Sequence, residues 1–173
     1  MIFNYKIADI VFSADISYRY TFEHMQDYRA DKDEIPEFAL EVTKADVEQE
    51  RNMSPHDVPL YVHEFTALYR KFIYVVMDRY DAFFFHCSAI SVDNQAVMFT
   101  AKSGTGKSTH RNLWLKNFGN RVTVINDDKP IIRKVNGIFY VYGTRGRGKR
   151  TSGKIFVFPR RLFVFCHAPR RIQ

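Results

Sequence analysis

A short glycine-rich stretch in the second half of the chain constrains its fold more than any other feature. The stretch reads Ala101-Lys102-Ser103-Gly104-Thr105-Gly106-Lys107-Ser108. Its spacing is that of a phosphate-binding loop (P-loop), with alanine where the first glycine usually stands. Gly104 and Gly106 let the backbone turn so that successive N–H groups converge on one anion. An apolar strand is predicted before the loop and a helix after it, so the motif favours a phosphate site over an ordinary glycine-rich turn.

The side chains at the end of the motif fit the chemistry of a nucleoside triphosphate. Lys107 can reach the β- and γ-phosphates, and the Ser108 hydroxyl can ligate Mg²⁺. The helix that begins near Lys107 directs its positive dipole end at the same anion. We therefore expect ATP and Mg²⁺ as ligands of this loop. The predicted nucleotide-binding residues are Ser103, Gly104, Thr105, Gly106, Lys107, Ser108 and Thr109.

A pair of aspartates follows the next apolar strand. Residues 122–125 are apolar and deliver Asn126, Asp127 and Asp128 at their carboxyl end. In α/β folds ligands bind at that edge of the sheet, so these carboxylates can face the P-loop. One aspartate could hold Mg²⁺, and the other could accept a proton from an attacking hydroxyl. The alternative is a solvated turn, because Asp and Asn favour turns.

The first eighty residues predict short strands and two helices. We expect strands at 5–12, 18–22 and 37–43, a helix from Thr43 to Glu50, and a long helix over 59–80. Thr43 followed by Asp46 is a helix-start signal. Within the long helix, apolar residues recur at helical spacing and predict a face that packs in a core. These residues are Phe65, Leu68, Phe72 and Val75.

From residue 82 the hydrophobic pattern changes to period two. Strands are predicted at 83–92, 95–100, 121–125, 130–134 and 137–142, with a helix at 109–118 that Gly119 ends. Asn136-Gly137 is a strong hairpin signal, and Asp93-Asn94 predicts a further turn. The expected fold class is α/β with a mixed sheet. The expected organisation is an N-terminal strand and helix leader (1–81) packed on a P-loop core (82–143), followed by a basic tail (144–173).

The positive charge of the chain is concentrated in that tail. The chain has a formal net charge of +7, yet residues 144–173 contain nine Lys or Arg and no Asp or Glu. The first 143 residues hold 17 basic and 19 acidic groups. The net positive charge therefore does not indicate that the chain as a whole binds nucleic acid. The same tail contains an apolar aromatic segment, 155–165, that predicts a strand or an aggregation-prone stretch.

The N-terminus and the two cysteines indicate a cytoplasmic protein. Residues 1–10 include Asn4, Lys6 and Asp9 without an unbroken apolar run, so no signal peptide is expected. No stretch is long and charge-free enough to span a membrane. Cys87 and Cys166 match no metal or redox spacing.

Three motifs taken in order resemble the catalytic domain of HPr kinase/phosphorylase. These are His86-Cys87-Ser88-Ala89-Ile90, then Ser103-Gly104-Thr105-Gly106-Lys107-Ser108-Thr109, then Asn126-Asp127-Asp128. The loop is also similar to that of ATP-dependent phosphoenolpyruvate carboxykinase, and the nearest likeness is to small bacterial HPr-kinase-like proteins. The likeness spans roughly residues 85–142, while the N-terminal eighty residues resemble only the leader of those small homologues.

The resemblance implies a role for each matching residue. Asp127 would accept the proton of the substrate serine, Lys107 would stabilise the transferring phosphate, and Ser108 with Asp128 would serve Mg²⁺. His86 matches a family histidine close to the phosphates. A buried structural histidine on a strand is the alternative for that residue.

The sequence departs from the family pattern in two places. Ordinary HPr kinases have an acidic residue directly after the P-loop serine, where this chain has Thr109. The small homologues continue from the equivalent of Tyr142-Gly143-Thr144 as Pro-Trp-x-Gly-Lys, but here Arg145-Gly146-Arg147-Gly148-Lys149 follows. We interpret this break as a change of reading frame or a truncation near Thr144. A natural basic tail is the alternative.

Three functions follow from these patterns. The first is an ATP-dependent kinase that transfers the γ-phosphate to a serine hydroxyl of a protein or peptide. The second is a catalytically incomplete nucleotide-binding module. The third, and the least favoured, is nucleic-acid binding through the basic tail, whose Arg/Gly run lacks interleaved aromatic residues. Because HPr-kinase relatives form hexamers, the resemblance also raises the expectation of a homo-oligomer.

Overall fold

The chain forms a mixed α/β fold built from small sheets. A computed structural model describes residues 1–93, 95–102 and 104–144, together with the backbone of the strands Phe156–Phe158 and Phe163–Cys166. The chain divides into two compact units, Met1–Arg79 and Tyr80–Gln173. No helix among the described residues is long and apolar enough to cross a membrane.

The first unit combines a three-stranded sheet with three helices. Its elements are β1 (Ile2–Ile7), β2 (Ile10–Asp15), α1 (Arg19–Met25), β3 (Phe38–Glu41), α2 (Lys44–Met53) and α3 (Leu60–Arg79). β2 lies in the centre of the sheet, antiparallel to β1 and parallel to β3. Phe12 of β2 packs between Phe38 of β3 and Phe72 of α3, with ring centroids 5.7 and 4.7 Å away.

Two of the strands predicted in this unit are wrong. The expected strand at 5–12 is a hairpin, because Ala8 and Asp9 both adopt left-handed backbone angles (φ 54° and 57°) and reverse the chain. The pair Ala8-Asp9 contains no glycine, so the usual Asn-Gly or Asp-Gly signal for a two-residue hairpin turn is missing. The expected strand at 18–22 lies in α1. A residue distant in sequence favours this helix: the buried Glu64 carboxylate accepts hydrogen bonds from the Ser17 and Tyr18 amides at 2.6 and 3.0 Å.

The other helices of this unit confirm the local signals. Thr43 caps α2, and its side chain and that of Asp46 exchange hydrogen bonds with each other's backbone N–H. The helix continues three residues past the predicted end. In α3, Leu68 and Phe72 are buried as predicted, but Val76 rather than Val75 completes the buried face.

The second unit contains two four-stranded sheets and one long helix. Its elements are β4 (Ala82–Phe84), β5 (Ser88–Val92), β6 (Gln95–Thr100), α4 (Lys107–Phe118), β7 (Val122–Asn126), β8 (Ile131–Val135), β9 (Ile138–Tyr142), β10 (Phe156–Phe158) and β11 (Phe163–Cys166). One sheet has the order β10-β9-β8-β4, and the other β11-β6-β5-β7. Among the described strands of this unit, β11 and β6 are the only parallel pair.

The predicted strand at 83–92 is wrong because it divides between the two sheets. β4 pairs with β8, whereas β5 pairs with β6 and β7. Between β4 and β5 the chain instead meets the turn after β7. The Phe85 amide donates to the Pro130 carbonyl at 3.2 Å, and the Cys87 amide donates to the Asp128 carbonyl at 2.9 Å. This crossing places His86 beside the predicted aspartate pair.

The remaining predictions for this unit agree with the structure in outline. β6, β7, β8 and β9 lie where expected, and Asn136 and Gly137 both have positive φ, as the predicted hairpin requires. α4 begins at Lys107, two residues earlier than predicted, and Gly119 caps its end. Two described strands, β10 and β11, lie within or at the end of the apolar segment expected at 155–165. Asn94 lies outside the described residues.

The β11-β6-β5-β7 sheet has an apolar core on each face. On one face, Ile90, Val97, Phe99 and Val122 pack against Trp114 and Leu115 of α4. On the other face, Cys87, Ala89, Met98 and Ile125 pack with Ile132 and Val141 of the second sheet. Because β6 and β7 both run antiparallel to the central β5, their carboxyl ends lie at one edge, where β5 begins. The loops that follow β6 and β7 are therefore neighbours at that edge.

Candidate functional site

The predicted P-loop connects β6 to α4 at this edge. Gly104 and Gly106 have φ of +79° and +93°, the left-handed region that non-glycine residues rarely adopt. A Cβ atom at Gly104 would meet nothing within 4 Å, so backbone conformation rather than crowding requires glycine there. Gly106 is the N-cap of α4. Ser103, predicted to bind nucleotide, lies outside the described residues.

Lys107 reaches back across the loop that precedes it. Its Nζ donates to the Ala101 carbonyl at 2.9 Å and to the Lys102 carbonyl at 3.4 Å. The Thr105 hydroxyl also donates to the Lys102 carbonyl, at 2.6 Å. The ammonium group thus satisfies carbonyl oxygens at the start of the loop. An anionic phosphate oxygen in the loop would be a stronger acceptor for the same group.

Ser108 and Thr109 occupy the first turn of α4, and both are exposed. The N–H groups of a first helical turn have no partner within the helix, so this turn offers donors as well as hydroxyl groups. Asp128, the other predicted Mg²⁺ ligand, has a side chain that is 59% exposed. Hydroxyl and carboxylate oxygens are ligands that Mg²⁺ prefers, and it commonly completes its shell with water and substrate phosphates. The predicted pair thus fits the chemistry of a magnesium nucleotide. Among the described residues, no three or more His, Cys, Asp or Glu side chains form a group that could hold a metal ion by themselves.

The turn that carries the aspartates is organised by Asn126, the last residue of β7. Its buried side chain accepts hydrogen bonds from the Asp128 and Lys129 amides at 2.7 and 2.9 Å. Its amide nitrogen donates to both the carbonyl and the hydroxyl of Thr144. The Thr144 hydroxyl in turn donates to the Lys129 carbonyl at 2.7 Å. This network fixes the backbone of the turn and leaves the two carboxylates open to solvent.

His86 and Cys87 lie between the P-loop strand and the aspartate turn. His86 Nε2 is 3.4 Å from Asp128 Oδ1, and the side chain of His86 is 54% exposed. The predicted alternative, a buried structural histidine, therefore does not describe this residue. The Thr100 hydroxyl at the end of β6 donates to the His86 carbonyl at 3.2 Å. This bond joins the P-loop strand to the histidine segment.

The Cys87 thiol takes no reactive form in this arrangement. Burial, together with the nearby Asp128 charge, raises its pKa to about 12, although the Lys107 charge acts in the opposite direction. The thiol therefore stays protonated at neutral pH and packs as a small apolar side chain in the core.

Two features of the site were missed in the sequence. Arg111, one turn beyond Lys107 on α4, forms an ion pair with Asp127. Its spacing of four residues from Lys107 places both on one helix face and could have identified it. The link from Asn126 to Thr144 could not have been found in this way, because it depends on the approach of β7 and β9, which lie in different sheets. Thr144, the first residue of the predicted tail, is buried.

The structure thus places the predicted site residues on neighbouring segments. His86 and Asp128 are adjacent, Asp127 contacts α4 through Arg111, and Lys107, Ser108 and Thr109 form the first turn of that helix. The catalytic, nucleotide and metal roles of these residues remain predictions.

Comparison with known proteins shows a partial structural similarity to solved structures. A region of the chain is similar to the HPr(Ser) kinase/phosphatase from Coxiella burnetii, with 17% sequence identity and a TM-score of 0.30. The match covers 34% of this chain and 34% of that protein, so the chain spans about a third of its length. No family model matches the sequence. No curated protein matches it either.

Proposed function

We propose that the chain binds MgATP at the loop 101–108 and transfers the γ-phosphate to a serine hydroxyl of a protein or peptide. One observation carries the proposal. The strands β6 and β7 flank β5 and end at the same edge, and this arrangement supports a common site for the loop 101–108, His86 and the pair Asp127–Asp128. The partial likeness to an HPr(Ser) kinase/phosphatase agrees with this proposal but does not carry it.

The loop supplies the binding of the phosphates. Its backbone amides and the N-terminus of α4 offer hydrogen-bond donors and a positive dipole end. Lys107 would exchange the carbonyls of Ala101 and Lys102 for β- and γ-phosphate oxygens. Ser108 and Asp128 would hold Mg²⁺, which when bound neutralises charge on the phosphates.

The aspartate turn supplies the acceptor side of the reaction. Asp127 would accept the proton of the serine hydroxyl as its oxygen forms a bond to the γ-phosphorus. The bond from the γ-phosphorus to the bridging oxygen breaks, and ADP leaves. His86, half-exposed beside Asp128, would lie close to the transferring group. Catalysis of this kind consists mainly of positioning and charge stabilisation.

Binding and transfer are tested separately on four forms of the chain: wild type, Lys107→Ala, Asp127→Asn and the control Lys116→Ala in the last turn of α4. Calorimetry measures MgATP binding, and γ-labelled ATP measures transfer to purified HPr, to a mixture of serine peptides and to water. We expect Lys107→Ala to weaken binding. We expect Asp127→Asn to bind normally and lose transfer by a factor on the order of 100 or more, the range for a general base. Lys116→Ala should match the wild type.

Other outcomes would assign a different function. A wild-type chain that binds MgATP and transfers to none of the acceptors is a nucleotide-binding module. A chain that binds no nucleotide contradicts the proposal. Salt-dependent affinity for RNA or DNA without ATP would instead support binding through the basic residues beyond Thr144, which lie outside the described residues.

A further inference from the structure

The α4 helix brings a second positively charged side chain to the candidate site. Arg111 Nη1 forms an ion pair with Asp127 Oδ1, and the Arg111 side chain is only 15% exposed, against 52% for Asp127. Side chains on a helix lean toward its N-terminus, so the guanidinium lies over the turn that contains Lys107. The ion pair therefore holds the Asp127 carboxylate beside the first turns of α4.

Arg111 is itself held in place by its neighbour on the helix. Its Nε and Nη2 donate to the Asn112 side-chain oxygen at 3.2 and 2.9 Å. Since a guanidinium is a rigid planar fork, fixing these two nitrogens also fixes the direction of Nη1. Lys107 takes different partners, the carbonyls of the P-loop. The two cations thus have different partners: Lys107 is hydrogen-bonded to carbonyls of the loop, and Arg111 is paired with Asp127.

We propose that Arg111 is a positioning residue that aims Asp127 at the acceptor hydroxyl. This inference rests on the proposed phosphoryl transfer. In that step the hydroxyl oxygen bonds to the γ-phosphorus, its proton passes to Asp127, and the electron pair of the broken bond leaves with ADP. In this proposal Arg111 acts through Asp127, the partner of its ion pair, and not on the phosphates. Because a displacement of about 1 Å can cost on the order of 100-fold in rate, loss of Arg111 is expected to be seen in kcat.

The test compares Arg111→Gln and Arg111→Lys with the wild type in transfer from MgATP to HPr, or to water if HPr is not accepted. Arg111→Gln should lower kcat by about 100-fold and leave the KM for MgATP unchanged. Arg111→Lys should recover part of the rate, because it keeps a cation near Asp127. The matched control is Arg121→Gln. It removes a similar arginine–aspartate pair with Asp93, at the opposite edge of the sheet, and should leave the kinetics unchanged.

Combining variants separates positioning from a general loss of structure. If Arg111 acts through Asp127, the double variant Arg111→Gln/Asp127→Asn should be no slower than Asp127→Asn alone. Circular dichroism and the unfolding midpoint establish whether each variant is folded. An additive double variant, or an Arg111→Gln variant that is folded and fully active, overturns the proposal. A higher KM with unchanged kcat would make Arg111 a nucleotide contact and also overturn it. If the wild type transfers nothing, the proposed function fails and this inference fails with it.

Discussion

At the scale of single residues, Asn126 has the largest set of hydrogen bonds in the described part of the candidate site. It joins the end of β7, the aspartate turn and Thr144 through one buried amide group. An amide suits this position because it donates on one side and accepts on the other, whereas a carboxylate could only accept. The predicted base Asp127 and the predicted Mg²⁺ ligand Asp128 are thus half-exposed on a backbone that a buried neighbour holds fixed.

We expect Asn126→Ala to lower the free energy of unfolding by about 1–3 kcal/mol, the cost of leaving buried hydrogen-bonding groups without partners. The groups affected are the amides of Asp128 and Lys129 and the carbonyl of Thr144. Urea denaturation measures the change. Asn120→Ala, at an exposed position after α4, is the control and should be near neutral. Equal stability of Asn126→Ala and wild type would show that the amide does not organise this turn.

At the scale of elements, local signals predicted the pieces that depend on neighbours in sequence. The glycine-rich loop before α4, the capped start of α2 and the Asn136-Gly137 hairpin each form from residues within a few positions of one another. The predictions that are wrong concern elements that depend on partners distant in sequence. α1 is favoured by Glu64, more than forty residues later, and the break between β4 and β5 depends on carbonyls of Asp128 and Pro130. No periodicity in the chain encodes such partners.

The same distinction applies to the candidate site. Lys107 and Ser108 could be predicted as site residues because the motif is contiguous. The Arg111–Asp127 pair was missed because it forms only when β7 pairs with β5 and α4 packs on both strands. The spacing of Arg111 from Lys107 is visible in the sequence, but nothing in the sequence indicates that Arg111 pairs with Asp127.

The start of α2 gives a prediction about pH. Burial acts to raise the pKa of Asp46, but hydrogen bonds from Lys71 and Thr43 and the charge of Lys71 outweigh it, so the pKa lies below its ordinary value. A lowered pKa contributes stability above the unfolded-state value of about 3.9, and this contribution is lost as the pH falls through the lower folded-state value. Asp46→Asn should therefore cost about 1 kcal/mol at pH 7, typical of a lost helix cap.

The pH dependence of the free energy of unfolding tests whether the Asp46 carboxylate is the source of this stabilisation. Urea denaturation of wild type and Asp46→Asn between pH 7 and pH 2 should give two curves that converge below about pH 3.9. Asp33→Asn, at an exposed position, is the control and should run parallel to the wild type throughout. A difference that persists unchanged at the lowest pH would mean that the carboxylate charge is not what stabilises this helix start.

At the scale of the whole molecule, the described residues of the candidate site lie in the second unit, and Thr144 belongs to that unit's buried network. The run Arg145-Gly146-Arg147-Gly148-Lys149, where the sequence departs from the family pattern, begins immediately after this residue. The hypothesis of a changed reading frame therefore concerns the residues that follow Thr144 and its hydrogen bonds with Asn126 and Lys129. Sequencing the gene across codons 140–150 in independent isolates decides between the two origins, and an uninterrupted frame through Gln173 in each would establish a natural tail.

Nucleotide binding itself predicts a change in the stability of this unit. A ligand that binds only the folded state stabilises it by RT ln(1 + [L]/Kd), about 2.7 kcal/mol at a concentration of 100 Kd. MgATP should therefore slow hydrogen exchange in the second unit, first at the loop 101–108, at Cys87 and at the turn after β7. The Cys87 and Asp128 backbones are hydrogen-bonded to each other, so these segments should respond together.

Two comparisons make this measurement specific for the phosphates. AMP lacks the β- and γ-phosphates that Lys107 is expected to hold, so AMP at the same concentration should protect far less. Lys107→Ala should lose the protection by MgATP, whereas Lys116→Ala, at the other end of α4, should keep it. Equal protection by MgATP in Lys107→Ala and wild type would place the nucleotide elsewhere on the chain. Such a result would mean that the loops after β6 and β7 do not hold the nucleotide that the sequence predicts for them.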